Sequence, residues 1–298
     1  MPTFKNIALV GASGNIGQIF LPFLLESDFN VTVLTRSSSN ATFPAGATVR
    51  KSDFSSADLE EAFKGQDVVI SAVGVTGFAE QKKLVDAAIQ AGVSRFLPSE
   101  FSIDSLNDAV LRILPLFGQK KDVIEYLKSK QSDSFSWTGV VTSGLFDWGI
   151  GFLGFDLASR SATIWDGGNK KFTLTNQKQL GEAVVSVLRR PEVSANQHLY
   201  ISSVETTQNE ILAALESSTS SSWTVQHTTT DAQIREANEK LQAGDFNGAV
   251  TLALAAIYGD IPGLQANFAK DHTLANNVLG LKDESVQETI KRVVSESK

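Results

Sequence analysis

The stretch ALVGASGNIGQIF, residues 8–20, places Gly11, Gly14 and Gly17 at three-residue intervals directly after an apolar run. Glycine allows positive φ angles and lets the backbone approach a ligand closely. Where such a turn joins a strand to a helix, free N–H groups at the helix N-terminus can hold a pyrophosphate. We expect Gly11 to end a strand, Gly14 to approach the ligand and Gly17 to let the helix pack on the sheet. The stretch predicts a dinucleotide-binding turn and not a nucleoside triphosphate loop, because no Gly-Lys-Ser/Thr follows.

The end of the predicted second strand decides which dinucleotide fits. A carboxylate there would bond the ribose 2′-hydroxyl and repel a 2′-phosphate, but the run VLTRSSS, residues 33–39, has Arg36 at this point. The sequence therefore favours NADP(H), with a solvated Arg36 as the alternative. Asp53 and Phe54 are expected near the adenine, and Val73 and Gly74 beside the ribose and nicotinamide. The residues expected to contact the cofactor are Gly11, Ser13, Gly14, Asn15, Ile16, Gly17, Arg36, Asp53, Phe54, Val73 and Gly74.

The first half of the chain alternates short β-branched apolar runs with segments that have helical spacing of apolar residues. Such alternation predicts a parallel sheet with helices on both faces, an α/β fold of the doubly wound Rossmann type. The predicted strands are Asn6–Val10, Val31–Thr35, Thr48–Lys51, Asp67–Ala72, Arg95–Pro98 and Trp137–Thr142. The predicted helices are Ile16–Glu26, Ser56–Phe63, Ala79–Ala91 and Lys120–Lys130.

Beyond Gly144 the alternation loosens, and a second region is interleaved with the first. The elements predicted there are a hairpin around Asp166-Gly167-Gly168, a helix over Gln177–Arg189, a strand over His198–Ser203 that rejoins the sheet, and a polar loop over Ser217–Ser222 in a mostly helical final third. We expect a Rossmann domain over residues 1–144 plus about 177–204. A smaller substrate-binding region is expected over residues 145–176 plus about 205–298.

Composition excludes several classes of function. The 298 residues carry a net charge of −7, which argues against non-specific binding to nucleic acid or to a membrane surface. The chain has no cysteine, and its three histidines lack metal-ligand spacing, so no metal site is expected. The start shows no signal peptide, and the apolar stretch Gly139–Phe155 is too short and interrupted to span a bilayer. These features predict a cytoplasmic protein.

The run QKKLVDAAIQAGVSRFLPSEF, residues 81–101, resembles the isoflavone-reductase-like and NmrA-like branch of the atypical short-chain dehydrogenases. Other stretches that match this branch are GASGNIG, KKDVIEYLKSK, FTLTNQKQLGEAVVSVL and NEILAALE, so the resemblance covers nearly the whole chain. It implies a Rossmann domain that binds NADP(H), followed by a smaller C-terminal substrate region.

The resemblance also implies a catalytic lysine on the helix after the Pro-Ser-Glu-Phe strand, beside the nicotinamide. The pattern Lys-x-x-Val selects Lys120, with Val123 as its anchor, as both general acid/base and cofactor contact. Lys121 is its rival but points about 100° away on a helix. The alternative without a catalytic role is that Lys120 and Lys121 are two solvent-exposed lysines. Tyr126 and Lys130 match the Tyr-x-x-x-Lys of ordinary short-chain dehydrogenases, but we expect a packing tyrosine and an exposed lysine there.

The plant reductases of this branch have a glycine where this chain has Ser102, so the resemblance leaves the substrate open. The loop TSGLFDWGIGFLGF, residues 142–155, carries aromatic and aliphatic side chains on a glycine-rich frame. Such a frame suits a planar apolar ligand, although core packing or a dimer contact would use the same residue types. The residues expected to bind substrate are Ser143, Leu145, Phe146, Trp148 and Phe152.

Two functions remain open from the sequence. One is an NADPH-dependent reductase that transfers hydride to a small aromatic or enone-like substrate, with Lys120 supplying the proton and Ser143 or backbone N–H groups orienting the ligand. The other is a redox sensor like the NmrA-type regulators, which hold the dinucleotide and control a protein partner without chemistry. Those regulators do not keep the reductases' lysine, so Lys120 favours the enzyme.

Overall fold

The computed structural model describes residues 3–297, so the outermost residues of the two predicted regions, 1–2 and 298, lie outside the described residues. The strands are β1 Asn6–Val10, β2 Asn30–Arg36, β3 Thr48–Ser52, β4 Val68–Ser71, β5 Arg95–Leu97, β6 Ser136–Val141, β7 Gly144–Leu145, β8 Phe155–Asp156, β9 Ser161–Trp165, β10 Phe172–Thr175, β11 Gln197–Tyr200, β12 Val204–Thr206 and β13 Thr224–Thr228. The helices are α1 Asn15–Leu25, α2 Ser56–Phe63, α3 Gln81–Gln90, α4 Asp108–Ile113, α5 Gly118–Lys130, α6 Gln177–Arg189, α7 Pro191–Ser194, α8 Gln208–Thr219, α9 Thr230–Gln242, α10 Asn247–Tyr258, α11 Phe268–Asp271, α12 Asn276–Leu279 and α13 Val286–Glu296, with short 3-10 helices at Val75–Gly77 and Pro115–Phe117.

The central sheet has seven strands in the order β11-β6-β5-β4-β1-β2-β3, and every neighbouring pair is parallel. The order reverses at β1, so the ends of β1 and β4 flank the crevice in which ligands of doubly wound sheets bind. This topology confirms the predicted Rossmann-type α/β fold. The strand after α6 also rejoins the sheet as predicted, because β11 pairs with β6.

Helices cover the sheet on both faces, and each face has its own apolar cluster. On one side α1 and α6 pack together through Phe20, Leu24 and Val184. On the other side α2, α3 and α5 bury Phe63, Val85 and their neighbours. The buried, nearly continuous apolar character of β1 and β4 follows from this double cover.

A third apolar cluster lies outside the sheet. It joins the loop after β7 to β9, β10, α8, α10 and α13, and these elements fall within the predicted substrate region. Ile103, Val110, Leu114 and Phe117 also belong to this cluster, although the sequence placed them in the Rossmann region. The segment between β5 and α5 therefore packs against the C-terminal elements, which brings the start of α5 to the boundary between the clusters.

Two sequence expectations were wrong. The turn at Asp166-Gly167-Gly168 has positive φ angles as its residues suggest, but it does not close a hairpin: β9 pairs with β8 and β13, whereas β10 pairs with β7 and β12. The reason is that Asn209, at the start of α8, donates hydrogen bonds to the Gly167 and Gly168 carbonyls and so directs the chain into another sheet. The polar loop expected over Ser217–Ser222 is shorter, because α8 continues to Thr219 and ends with Ser220 at a φ of +48°.

No helix within residues 3–297 is long and apolar enough to cross a membrane.

Candidate active site

The glycine turn after β1 has no room for side chains at two of its positions. Gly11 has a φ of +86°, and a Cβ added there would lie 2.6 Å from the Ala72 carbonyl oxygen. A Cβ at Gly17 would lie 2.2 Å from the Gly11 carbonyl oxygen, so α1 packs directly on the turn. The turn itself is closed by a hydrogen bond of 3.0 Å from the Gly14 N–H to the Gly11 carbonyl. The backbone at the start of α1 is therefore exposed to a ligand on one side and packed on the other.

A groove of about 490 Å³ runs over this turn, across the ends of β1, β2 and β4. Residues of the predicted cofactor set that line it are Gly11, Ser13, Gly14, Arg36, Phe54, Val73 and Gly74. Four members of the set do not line it. Gly17 is buried beneath the turn, Asn15 and Asp53 are exposed beside it, and Ile16 lines a neighbouring cavity. The groove thus contains the turn and the Arg36 side of the crevice predicted from the sequence.

Arg36 is the uncompensated positive charge of this groove. It is exposed at the end of β2, and within residues 3–297 its guanidinium makes no ion pair and no hydrogen bond. The other cation of the groove, Lys83, is paired with Glu80 at 2.6 Å. The three serines after Arg36 add hydroxyl groups. This combination suits an anion placed where the ribose 2′ position of a dinucleotide would lie.

Asp53 and Phe54 behave differently from each other. The Asp53 carboxylate accepts a hydrogen bond of 2.8 Å from the Ser55 N–H, and its hydrogen bonds with Ser55 hold the pKa of Asp53 below its usual value. Asp53 therefore shapes the start of α2. Phe54 has a φ of +61° and lines the groove. Of the two, Phe54 is the one that faces the expected adenine position.

Lys120 is buried in the first turn of α5, with 4% of its surface exposed. Its Nζ donates hydrogen bonds of 2.7 Å each to the Glu100 carbonyl and to Ser102 Oγ, which leaves one N–H of the ammonium without a described partner. The rings of Phe78 and Phe117 lie 4.8 Å from the same Nζ. Burial lowers the pKa of Lys120 to about 8, against a smaller opposing effect of Glu100. A proton held with that affinity can be transferred near neutral pH.

The rival groups on α5 lie elsewhere. Lys121 is half-buried and forms an ion pair of 3.3 Å with Asp108. The Tyr126 hydroxyl donates a hydrogen bond to Asp86, and Lys130 is exposed. Tyr126 and Lys130 therefore have the packing and solvated positions that the sequence suggested.

An apolar cavity of about 470 Å³ lies near the groove: its lining residue Val75 directly follows Gly74 of the groove, and Ile16 lies two residues beyond Gly14. Four of the residues expected to bind substrate line this cavity: Ser143, Leu145, Trp148 and Phe152. The Trp148 and Phe152 rings stack at 5.4 Å and are 42% and 57% exposed, so they stand at the mouth. Phe146 differs from the expectation: it is fully buried in the third apolar cluster, because the loop turns its side chain inward while its neighbours Leu145 and Asp147 stay half-buried.

Ser143 is a strained residue at the floor of this cavity. Its φ is +59°, and its Oγ is buried without a hydrogen-bond partner among the described residues. Its N–H donates to the Ser102 carbonyl at 3.1 Å, which ties it to the loop that also holds Lys120. A strained backbone and an unsatisfied buried hydroxyl are costly unless a ligand uses them.

Several residues of the site were not identified from the sequence. Ser102 lines the cavity and accepts from Lys120, and the rings of Phe78 and Phe117 enclose the ammonium. Helix α10 forms the far wall through Ala249, Val250, Ala253, Leu254 and Ile257. The sequence did offer a signal for this role of α10, because its run AVTLALAAIY is apolar on nearly all sides. A helix that packs on a core with one face needs only one apolar stripe, so the additional apolar face indicates a second apolar contact.

Within residues 3–297, no group of three or more histidine, aspartate or glutamate side chains is arranged to hold a metal ion.

Comparison with known proteins gives three results. A model described as the NmrA-like family matches residues 3–247. "Oxidoreductase aprR" of Aspergillus flavus is 38% identical over 294 residues, which cover 97% of this chain and 98% of that protein. "Oxidoreductase poxI" of Penicillium oxalicum is 31% identical over 288 residues, which cover 95% of this chain and 92% of that protein.

Among solved structures, the binary complex of leucoanthocyanidin reductase and NADPH from Vitis vinifera has a TM-score of 0.81 at 19% identity, and the match covers 98% of this chain and 100% of that chain. At this level of identity the match shows a shared fold over almost the whole length.

Proposed function

The chain belongs to the NmrA-like family, and from that premise we propose that it is an NADPH-dependent reductase that transfers hydride to a small aromatic or enone-like substrate. The two relatives described above are both named oxidoreductases, so the general activity is an oxidoreduction. The observation that carries the finer proposal is the place of Lys120. Lys120 is buried directly behind the wall of the apolar cavity, because it contacts the cavity-lining residues Ser102 and Phe117. One N–H of its ammonium has no partner among the described residues.

The fit of NADP(H) to the groove rests on the chain's own residues. Gly11 and Gly14 line the groove without side chains, and the N-terminus of α1 supplies N–H groups for a diphosphate. The free guanidinium of Arg36 suits the extra 2′-phosphate. The solved reductase of the same fold is named as an NADPH complex, which supports the same cofactor here.

When bound, NADPH supplies the hydride to an electron-poor carbon of the substrate. Lys120 then donates the proton of its free N–H to the substrate oxygen on which negative charge develops, and becomes a neutral amine. The carbonyl of Glu100 and the hydroxyl of Ser102 hold Nζ in place during this transfer. One hydride and one proton are added to the substrate, so the charges balance.

The composition of the cavity restricts the substrate. The polar side chains that line the cavity are Ser102 and Ser143, and the other lining residues are apolar or glycine. Lys120 lies behind this lining, in contact with Ser102 and Phe117. A charged substrate would lose its hydration here without gaining a counter-ion. We therefore propose a flat apolar substrate with one oxygen directed at Lys120 and Ser143, and with its rings against Trp148 and Phe152.

The direct test is NADPH oxidation, followed by absorbance, with a panel of enones, quinones and aromatic ketones, together with calorimetry of NADPH and NADP⁺ binding. Turnover of an uncharged member of the panel is expected, with a poor rate for carboxylated analogues. A strong preference for one redox form of the cofactor without any turnover would contradict the proposal and favour a redox sensor that acts on a protein partner.

Arg36→Ala should selectively weaken NADPH binding. Charge-assisted hydrogen bonds contribute roughly 1.5–3 kcal/mol, so the NADPH Kd should rise roughly 10- to 100-fold while NADH binding changes little. Calorimetry with both cofactors measures the difference. Lys178→Ala is a matched control, because this exposed cation lines a different cleft and should leave both affinities unchanged. An equal loss for NADPH and NADH in Arg36→Ala would contradict the assignment.

Trp148→Ala should raise KM for an apolar substrate without a large change in kcat. Loss of one half-exposed ring from the cavity mouth removes about 1–2 kcal/mol of apolar contact, which corresponds to roughly tenfold in KM. Steady-state kinetics with the best substrate of the panel measures the change. Phe246→Ala is the control, since Phe246 is 83% exposed and outside the cavity. The same KM in Trp148→Ala and the native protein would remove Trp148 from the substrate site.

A further inference from the structure

Near Lys120 lies a buried carboxylate that takes no part in the proposed proton transfer. Glu100 is 1% exposed and follows the end of β5. Its Oε2 accepts a hydrogen bond of 2.7 Å from Ser105 Oγ, and the Nε2 of His198 on β11 lies 3.3 Å from the same oxygen. A carboxylate at such depth needs both hydrogen bonds and an opposite charge.

The two ring nitrogens of His198 have different surroundings, which indicates a neutral imidazole that donates to Glu100. Its Nε2 faces a carboxylate, whereas its buried Nδ1 has no hydrogen-bond partner among the described residues. A protonated ring would have to bury a second N–H without an acceptor. The arrangement therefore favours the neutral tautomer with its hydrogen on Nε2, which solvates the Glu100 carboxylate without cancelling its charge.

The other ionisable groups around this pair do not supply a counter-ion either. The Tyr200 ring contacts the His198 ring edge-on, and the Tyr200 hydroxyl donates to Asp104 at 3.1 Å. His272 stacks on Tyr200 at 3.7 Å, and burial lowers the pKa of His272. Within the described chain, no lysine or arginine forms an ion pair with Glu100.

Lys120 is the cation placed to balance this charge. Its Nζ is fixed on the backbone carbonyl of Glu100 itself, so the ammonium stays near the carboxylate of the same residue without touching it. Both groups are buried, and charges act strongly on each other in such surroundings. The pair is thus held at a set separation by the chain, with Ser105 and His198 on one side and the two phenylalanine rings on the other.

We propose that Glu100, with its carboxylate held by Ser105 and by neutral His198, is a positioning residue that keeps Lys120 protonated and so ready to act as the proton donor. The proposal rests on the proposed function for the consequence in catalysis, but not for the charge pairing itself. Loss of the Glu100 charge should make the ammonium easier to deprotonate. The proton-donating form would then be lost at a lower pH.

Glu100→Gln tests the pairing directly, because the amide oxygen can still accept from Ser105 and His198. The titration of Lys120 would be followed by NMR in protein labelled with ¹³C at lysine Cε, with the signal assigned by its absence in Lys120→Met. The Lys120 midpoint should fall by about one pH unit in Glu100→Gln, the size expected for loss of one nearby opposite charge. Glu125→Gln is the control, because Glu125 is an exposed carboxylate on the same helix and pairs with Lys128. An unchanged midpoint in Glu100→Gln would overturn the proposal.

The pH profile of NADPH oxidation separates this proposal from the proposed function. The high-pH limb of kcat/KM should move to lower pH by the same amount as the NMR midpoint. If the NMR midpoint of Lys120 shifts but the high-pH limb of kcat/KM does not, the charge pairing is upheld and Lys120 is not the proton donor. If Glu100→Gln does not fold, ¹⁵N NMR of the native imidazoles decides: a neutral His198 with hydrogen on Nε2 at pH 7 supports the pairing, and a protonated His198 overturns it.

Discussion

Replacing Lys120 with methionine is expected to reduce NADPH-dependent turnover by about 10²- to 10⁴-fold, the range for loss of a general acid. NADPH binding should stay close to native, because the diphosphate and 2′-phosphate contacts assigned to Gly11, Gly14 and Arg36 are untouched. Methionine keeps the bulk of the side chain between Phe78 and Phe117. It leaves the buried Glu100 carboxylate without its counter-charge, so the free energy of unfolding should fall.

Steady-state kinetics, calorimetry with NADPH and denaturant unfolding together measure this result. Lys121→Met is the matched control, because Lys121 is the next residue on α5 and pairs with Asp108 outside the cavity. It should retain native turnover. An equal loss of turnover and of NADPH affinity in Lys120→Met would assign the lysine to cofactor binding alone. Native turnover in Lys120→Met would show that Lys120 is not the proton donor.

Gly17→Ala should have the largest effect on the fold of the site. The added methyl would lie 2.2 Å from the Gly11 carbonyl oxygen and 2.6 Å from the Ala12 Cα, and both are backbone atoms that cannot rotate away. Helix α1 would have to move off the glycine turn, at a cost on the order of 3 kcal/mol in the free energy of unfolding. NADPH binding should be lost as well, since the helix N-terminus leaves its place.

Denaturant unfolding and calorimetry with NADPH measure the two losses. Gly118→Ala serves as the control for the glycine-to-alanine change, because an added Cβ there meets no atom within 4 Å and the position begins helix α5. Its stability should be equal to or slightly above native. A Gly17→Ala protein with native stability would show that α1 does not pack on the turn as described.

Much of the fold follows from local patterns in the sequence. Apolar runs such as Asn6–Val10 must be buried on both faces, and their alternation with amphipathic helices leaves few topologies besides a parallel doubly wound sheet. Helices Ser56–Phe63 and Gln177–Arg189 have the bounds predicted, since their caps and periodicity are local features. The three-glycine turn is likewise a local requirement of the backbone.

The features that the sequence did not reveal depend on contacts between distant segments. Phe146 and Phe152 occur in the same glycine-rich loop, yet one is fully buried and the other is 57% exposed, because the loop's path over the third apolar cluster decides which ring points inward. The hairpin expected at Gly167 does not form, because Asn209 of the later helix α8 donates a hydrogen bond to the Gly167 carbonyl. The same holds for Ser102, whose contact with Lys120 arises only when α5 packs beside its loop.

The proposed reaction requires the nicotinamide end of the cofactor to lie beside Lys120, and a crystal structure with NADPH tests this position most directly. We predict the diphosphate on the Gly11–Gly14 turn, the 2′-phosphate at Arg36, and the nicotinamide ring at the boundary of groove and cavity, beside Lys120. A complex in which the nicotinamide points away from Lys120, or in which the groove holds no dinucleotide at saturating NADPH, would contradict it.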